Sequence, residues 1–239
     1  LGSYMSAGQL QQNPAPIGGG MLKSQWWRYW QPRGANLGPV QVPLPDGTVM
    51  QVKPIELPER FDLMIQSWDM AFKDLVTSDY VVGGVLGAKG ASRFVLDLVR
   101  EQMDLPKTLN AVRKMSTRHP LAYIKLVEDK ANGSAVIQSL HHEIGGFVAV
   151  NPIGGKIARA AAGSPEVESG NWYLPHPDLA DWVQGFIGEC AGFPKAAHDD
   201  MVDCWSQGSA RLRHVKPVED EDSAILRTIQ DRSNAGWSA

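Results

Sequence analysis

Three consecutive stretches with the character of β-strands precede the first helical pattern, and this order constrains the fold more than any other feature of the chain. They are rich in apolar residues, are separated by turn-forming residues, and read FDLMIQSWDMAF, DYVVGGVLG and RFVLDLV. The helical stretch LPKTLNAVRKMSTRH follows them. Strands followed by alternating helices and strands predict an α/β domain of three layers, in which helices flank a mixed central sheet.

The second half of the chain supplies that alternation. Val136, Leu140 and Ile144 recur at four-residue spacing and mark one apolar face of a helix. In chain order we predict a strand in LAYIKLVED, that helix in KANGSAVIQSLHHEI, a strand in GGFVAVNP, a short helix in KIARAAAG, an extended piece in ESGNWYLP, a helix in DLADWVQGFIGEC and a final helix over about 197–209.

The first quarter of the chain has a different amino-acid composition. It is rich in Gln, Pro and Gly, and then carries the aromatic cluster WWRYW at 26–30. The Asp46–Gly47 pair between two apolar runs predicts a β-hairpin. We therefore predict an arm over 1–60, a main domain over 61–213 and a flexible tail over 214–239. The aromatic cluster is expected to pack against a domain edge rather than to stack on bases.

Composition limits the class of protein. Of the 239 residues, 43% are hydrophobic and 21% charged, as in an ordinary folded domain. The formal net charge of −3 gives no general affinity for nucleic acid, although it leaves room for a local basic groove. Cys190 and Cys204 form no CxxC pair, so we expect neither a disulfide framework nor a structural zinc site. Without a long apolar run, we expect an intracellular protein with no membrane span.

Carboxylates stand at the ends of three separated elements. They are Asp69 at the end of the first strand, the pair Glu128 and Asp129 at the end of LAYIKLVED, and Asp199, Asp200 and Asp203 at the start of the final helix. Ligands of open α/β sheets bind beyond the strand ends, so these groups are expected to converge there.

Converging carboxylates predict a metal site. Such groups repel one another unless a cation lies among them, and hard oxygen ligands suit Mg²⁺ or Mn²⁺. Two ions about 3.5–4 Å apart can hold an attacking water and stabilise the leaving oxygen of a phosphodiester. The pattern therefore indicates metal-dependent phosphoryl transfer. Two structural alternatives stay open: Asp69 as the cap of a turn, and Asp199 and Asp200 as favourable charges at a helix N-terminus.

Four further residues are candidates for supporting roles. His198, beside the helix acids, is suited to proton transfer near neutral pH, although a lone histidine is more often a surface or capping group. Lys130, Lys156 and Arg159 are suited to contact phosphate, although isolated basic residues in loops are mostly solvated.

The order and the amino-acid sequence of these segments resemble those of the C-terminal nuclease domain of the large terminase subunit of tailed double-stranded DNA bacteriophages. The resemblance covers most of residues 5–213 and rests on four motifs in the family's order: SAGQLQQNPAP, SWDMAFKDLVTSDY, LVEDKANGSAVIQSL and FPKAAHDDMVDC. It implies a ribonuclease H-like fold. The family's full-length protein begins with an ATPase domain, whose Walker motifs are missing here. Since the chain also starts at Leu1 rather than at a methionine, we expect a fragment of a longer protein.

The resemblance implies a role for each matching acid. Asp69 matches the family's first-strand aspartate, which would bridge the ions, and Asp79 matches a supporting position. The family's His-Asp-Asp pattern fits both Asp199 and Asp200, and we favour Asp200 as the ligand with Asp199 assisting.

The second acid is ambiguous between two neighbours. Glu128 with Gly133 matches the E-x-x-x-x-G spacing of one branch of the family, whereas Asp129 with Ala131 matches the D-x-A of another. Strand alternation places Glu128 on the face of Leu126, which favours Glu128 slightly. Both stay candidates.

The resemblance implies a metal-dependent endonuclease that cuts concatemeric viral DNA during genome packaging, with two Mg²⁺ or Mn²⁺ ions and little sequence specificity. Lys156 and Arg159 would contact the DNA backbone. The implied partners are double-stranded DNA, the ATPase domain, the portal protein and the small terminase subunit, in the host cell cytoplasm. Two alternatives stay open: a Holliday-junction resolvase or transposase-like nuclease of the same fold, and a non-catalytic module that docks on the portal or the motor.

Overall fold

The computed structural model describes residues 20–70, 80–129, 131–151 and 154–215. Two of the predicted site residues, Asp79 and Lys130, lie outside the described residues. So do the Gln- and Pro-rich start of the predicted arm and nearly all of the predicted tail. What the sequence predicts for them stays a prediction.

One mixed sheet of eight strands dominates the described residues, and two further strands form a separate hairpin. The strands are β1 Arg28–Gln31, β2 Val40–Pro43, β3 Val49–Val52, β4 Ile55–Glu56, β5 Leu63–Met70, β6 Val81–Lys89, β7 Ser92–Glu101, β8 Ile124–Glu128, β9 Phe147–Val150 and β10 Trp172–Pro175. The order across the large sheet is β4-β1-β10-β7-β6-β5-β8-β9. Neighbouring strands are parallel except around β6, which runs antiparallel to both β5 and β7.

Helices cover both faces of this sheet. They are α1 Leu105–Arg118, α2 Ala131–Leu140, α3 Lys156–Glu168, α4 Trp182–Gly192 and α5 Asp200–Leu212, with short 3₁₀ turns at Ser24–Trp26 and Pro177–Leu179. Within the described ranges, no helix has the length and apolar character needed to cross a membrane. The predicted helix in KIARAAAG extends further than its sequence suggests, because α3 continues through Pro165 to Glu168.

Two apolar clusters hold the layers together, one on each face of the sheet. Trp68 and Val85 point to the face packed by α1 and α2. Ile65, Val82 and Leu86 point to the other face, which packs against residues of α3, α4 and α5. This division follows from the two-residue period of the strands. The predicted three-layer α/β fold is confirmed.

The described part of the predicted arm differs from the expectation. The hairpin is confirmed, since β2 and β3 pair antiparallel around the Asp46–Gly47 turn. However, β1 pairs with β10 and β4, so residues 28–31 and 55–56 extend the main sheet. Trp27 and Tyr29 are buried in the main core rather than at a domain edge. Long-range parallel pairing of such a short strand leaves no local signal in the sequence.

Candidate active site

The first predicted acid, Asp69, lies near the end of β5 on the face that α5 covers. Strand residues point alternately to the two faces, so Asp69 shares its face with Ser67. Ser67 Oγ donates to the carbonyl of Cys204 in α5 at 2.7 Å, and Cys204 Sγ donates to the Ser67 carbonyl at 3.1 Å. Burial first, and then the negative charge of Asp69, raise the pKa of Cys204. Asp69 is therefore close to α5.

Glu128 lies next to Asp69 on the neighbouring strand. β5 and β8 are parallel with Trp68 opposite Val127, so the residues that follow, Asp69 and Glu128, stand at the same level. Adjacent strands are about 4.8 Å apart. Trp68 and Val127 both pack on the α1 and α2 side, so Asp69 and Glu128 point to the opposite, α5 side. This agrees with the predicted face of Glu128.

Asp129 takes a different position. Its side chain is exposed and accepts hydrogen bonds from Ser134 Oγ of α2 at 3.2 Å and from Asn151 Nδ2 at 3.4 Å. Ser134 belongs to α2, which packs on the face of the sheet opposite to α5. Of the two candidate second acids, Glu128 is therefore the one that shares a face with Asp69.

The E-x-x-x-x-G spacing after Glu128 has a steric basis. Gly133, in the first turn of α2, packs directly on the end of β8. A Cβ at this position would overlap the backbone carbonyl oxygen of Glu128 and would lie 2.8 Å from Val127 Cγ1. Because glycine has no Cβ, α2 can approach the strand end that carries Glu128.

We expect the substitution Gly133→Ala to lower the free energy of unfolding by about 1–3 kcal/mol, because the added methyl group must displace backbone. Gly185→Ala in α4 is the matched control, since its added Cβ meets no atom within 4 Å. It is expected to raise stability by up to about 1 kcal/mol through helix propensity. Urea unfolding measures both values, and a Gly133 variant as stable as the Gly185 variant would contradict the steric account.

The direction of α5 brings its first turn to the Asp69 end of β5. Cys204 lies on Ser67, and Gly208, one turn later, packs mainly on Leu86, the β6 residue that pairs with Ile65, and also on Ser67. The helix therefore runs against β5, toward lower residue numbers of the strand. Its N-terminal acids consequently lie at the level of Asp69.

Two basic residues of α3 pair with these helix acids. Lys156 Nζ lies 2.8 Å from Asp199 Oδ1 and 2.7 Å from Asp203 Oδ2, and Arg159 Nη2 lies 2.8 Å from Asp203 Oδ1. Burial lowers the pKa of Lys156, but the two carboxylates outweigh it and hold the pKa above its ordinary value. In this structure the two predicted DNA contacts thus fix Asp199 and Asp203; their role toward DNA stays a prediction.

Asp200 is buried and lies toward β7. Its Oδ2 is 3.9 Å from Arg100 Nη2 of β7 and 3.9 Å from Nδ1 of His198, whose ring packs edge-on against Tyr80. The three helix acids therefore have different surroundings: Asp199 and Asp203 face α3, whereas Asp200 faces the end of β7.

Sequence reasoning missed Glu189, which caps the helix that carries these acids. Glu189 Oε1 accepts hydrogen bonds from the backbone N–H of Met201 at 2.6 Å and of Val202 at 3.1 Å. Burial raises the pKa of Glu189 to about 7. The signal was an acid beside Phe186 and Cys190 on the apolar side of α4, where a charge needs a partner.

The carboxylate oxygens at this edge of the sheet are of the chemical type that binds a hard divalent ion. Asp69 and Glu128 lie side by side, and the helix acids lie at the same edge of the sheet. In the part of the chain that the structure describes, no three Asp, Glu, His or Cys side chains lie close enough together to hold a metal ion. Carboxylate oxygens are nevertheless the ligands that Mg²⁺ and Mn²⁺ take in proteins.

Comparison with known proteins gives one family and several related structures. Residues 66–209 match the family described as Terminase RNaseH-like domain. The large terminase nuclease from thermophilic phage G20c with bound magnesium superposes with a TM-score of 0.54 at 12% identity, over 82% of this chain and 99% of that one. The same nuclease with bound zinc gives 0.53 at 13% identity, over 80% and 98%.

A longer protein also shares the fold. The large terminase from another thermophilic bacteriophage, in complex with ADP, superposes with a TM-score of 0.50 at 11% identity, over 66% of this chain and 41% of that one. At these identities the likeness shows the fold alone. A comparison with curated proteins gives no match.

Proposed function

Since this chain belongs to the Terminase RNaseH-like domain family, we propose that it is an endonuclease that cuts concatemeric double-stranded viral DNA during genome packaging. The observation that carries the proposal is the placement of Asp69 and Glu128 side by side, on the sheet face beneath the first turn of α5. The family and the fold support a nuclease role in phage DNA packaging. The related nuclease has been solved with bound magnesium and with bound zinc. This supports divalent ions as cofactors.

In this proposal each acid has a separate role. Asp69 would bridge two Mg²⁺ or Mn²⁺ ions, and Glu128 and Asp200 would complete their ligand shells. When bound, the ions supply Lewis-acid stabilisation of the phosphate oxygens and an activated water. Asp199 and Asp203 are held in place by Lys156 and Arg159. Asp129 is left outside the site because its side chain engages Ser134 and Asn151.

The substrate, the partners and the cellular location of the activity belong to the same proposal. The substrate would be duplex DNA cut with little sequence preference. An ATPase domain in the same polypeptide, the portal protein and the small terminase subunit would be its partners, in the cytoplasm of the host cell.

A plasmid-nicking assay tests the proposed function. We expect supercoiled plasmid to be converted to nicked and linear forms with Mn²⁺ or Mg²⁺, to stay intact with EDTA, and to be cut again when excess ion is returned. A chain that cuts no DNA with either ion would contradict the proposal and favour a docking module. Preferential cutting of a four-way junction over linear duplex would favour a resolvase instead.

A further inference from the structure

Arg100, near the end of β7, stands in the same row of the sheet as the two strand acids. Val82 of β6 pairs with Asp69 on one side and with Arg100 on the other. Val82 packs on the α5 side of the sheet, and the neighbours of Arg100 in α4 and α5 place its side chain on that side too. Two strand spacings of about 4.8 Å separate Arg100 from Asp69. Arg100 therefore flanks the proposed active site.

The guanidinium of Arg100 is held in position without a hydrogen bond. Its Cζ lies 3.8 Å above the ring of Tyr80, and its Nη2 lies 3.7 Å from Glu189 Oε2 and 3.9 Å from Asp200 Oδ2. Nε is buried with no acceptor, and among the described residues no acceptor lies within hydrogen-bonding distance of this side chain. A stacked, pre-positioned guanidinium with unused donors calls for an oxyanion, because unmade buried hydrogen bonds are costly.

Two surface arginines of α1, Arg113 and Arg118, show the contrast. Arg113 donates to Glu143 twice, from Nε and Nη2, at 2.8 Å each, and Arg118 lies 2.7 Å from Asp97. Both therefore donate hydrogen bonds to a carboxylate. Arg100 is close to two carboxylates but hydrogen-bonded to neither, with a quarter of its side chain exposed.

We propose that Arg100 binds a backbone phosphate of the DNA strand next to the bond that is cut. This rests on the proposed nuclease function. The planar fork of arginine matches the oxygens of a phosphate, and stacking on Tyr80 orients that fork in advance. Glu189 lies on the buried side of the Arg100 guanidinium. The exposed side of the guanidinium is therefore left for the phosphate. Arg100 is a binding residue, whereas Asp69 and Glu128 would hold the ions.

The affinity of the full chain for labelled duplex DNA in EDTA, measured by fluorescence anisotropy at several salt concentrations, tests this inference. The plot of log K against log salt has a negative slope, and one lost phosphate contact reduces its magnitude by about 0.9. We expect this drop and an affinity about tenfold weaker for Arg100→Gln, and a slope restored to that of the wild type for Arg100→Lys. Arg113→Gln, on the other side of the sheet, is the matched control and should keep the wild-type slope.

Binding and cutting fail in distinguishable ways. A wild type that binds duplex but never cuts it would refute the nuclease function, while the Arg100 slopes still decide the phosphate contact. An unchanged slope for Arg100→Gln, an equal drop for Arg113→Gln, or no binding by the wild type would overturn the inference.

Discussion

Asp69→Ala is expected to lower the rate of metal-dependent DNA cleavage by roughly 10³-fold. In the proposed site Asp69 would help to hold both ions, so its loss would remove several kcal/mol of transition-state stabilisation. Because Asp69 is only half-buried, at the end of its strand, its removal leaves the core of the sheet intact. The measurement is the initial rate of plasmid nicking with Mn²⁺, at saturating DNA.

Thermal melting separates this loss from a loss of folding. We expect the Asp69→Ala variant to melt close to the wild type, since a catalytic acid contributes little to stability. Asp178→Ala is the control, because the Asp178 side chain is 75% exposed in the turn before α4. It should cut at the wild-type rate. Full cutting by the Asp69 variant would support the alternative in which this aspartate only caps a turn.

Trp27→Ala is expected to lower the free energy of unfolding by about 3–5 kcal/mol. Trp27 is fully buried, and its ring packs edge-on against Phe186 at 5.2 Å and Trp205 at 5.8 Å. Trp205 belongs to α5, so the residue before β1 supports the helix that carries the acids. Urea unfolding followed by far-UV circular dichroism gives the value.

Leu121→Ala is the comparison for this effect, because Leu121 is 78% exposed. It should change the free energy of unfolding by no more than about 0.5 kcal/mol. If Trp27→Ala cost no more than Leu121→Ala, the segment before residue 61 would behave as the arm that the sequence suggests, and the core described around Trp27 would be contradicted.

The strands, helices and faces of the main sheet were predictable because their signals are local. Alternation placed Glu128 and Leu126 on one face, and the two core clusters agree with it. The E-x-x-x-x-G spacing was visible as a motif, whereas its reason, the close approach of α2 to the Glu128 carbonyl, needed the fold.

What could not be predicted depends on contacts between distant segments. The four-residue strand β1 joins the sheet only through β10 and β4, and a short aromatic run gives no sign of that partner. Likewise, the ion pairs of Lys156 and Arg159 with Asp203 depend on α3 packing beside α5. The role of Glu189 became visible only through its bonds to the first turn of α5.

The location of bound Mn²⁺ in a crystal of the protein tests the central claim most directly. The account predicts anomalous density within about 2.0–2.3 Å of carboxylate oxygens of both Asp69 and Glu128, with Asp200 completing the site. Density bound to Asp129 instead of Glu128, or density remote from Asp69, would contradict it.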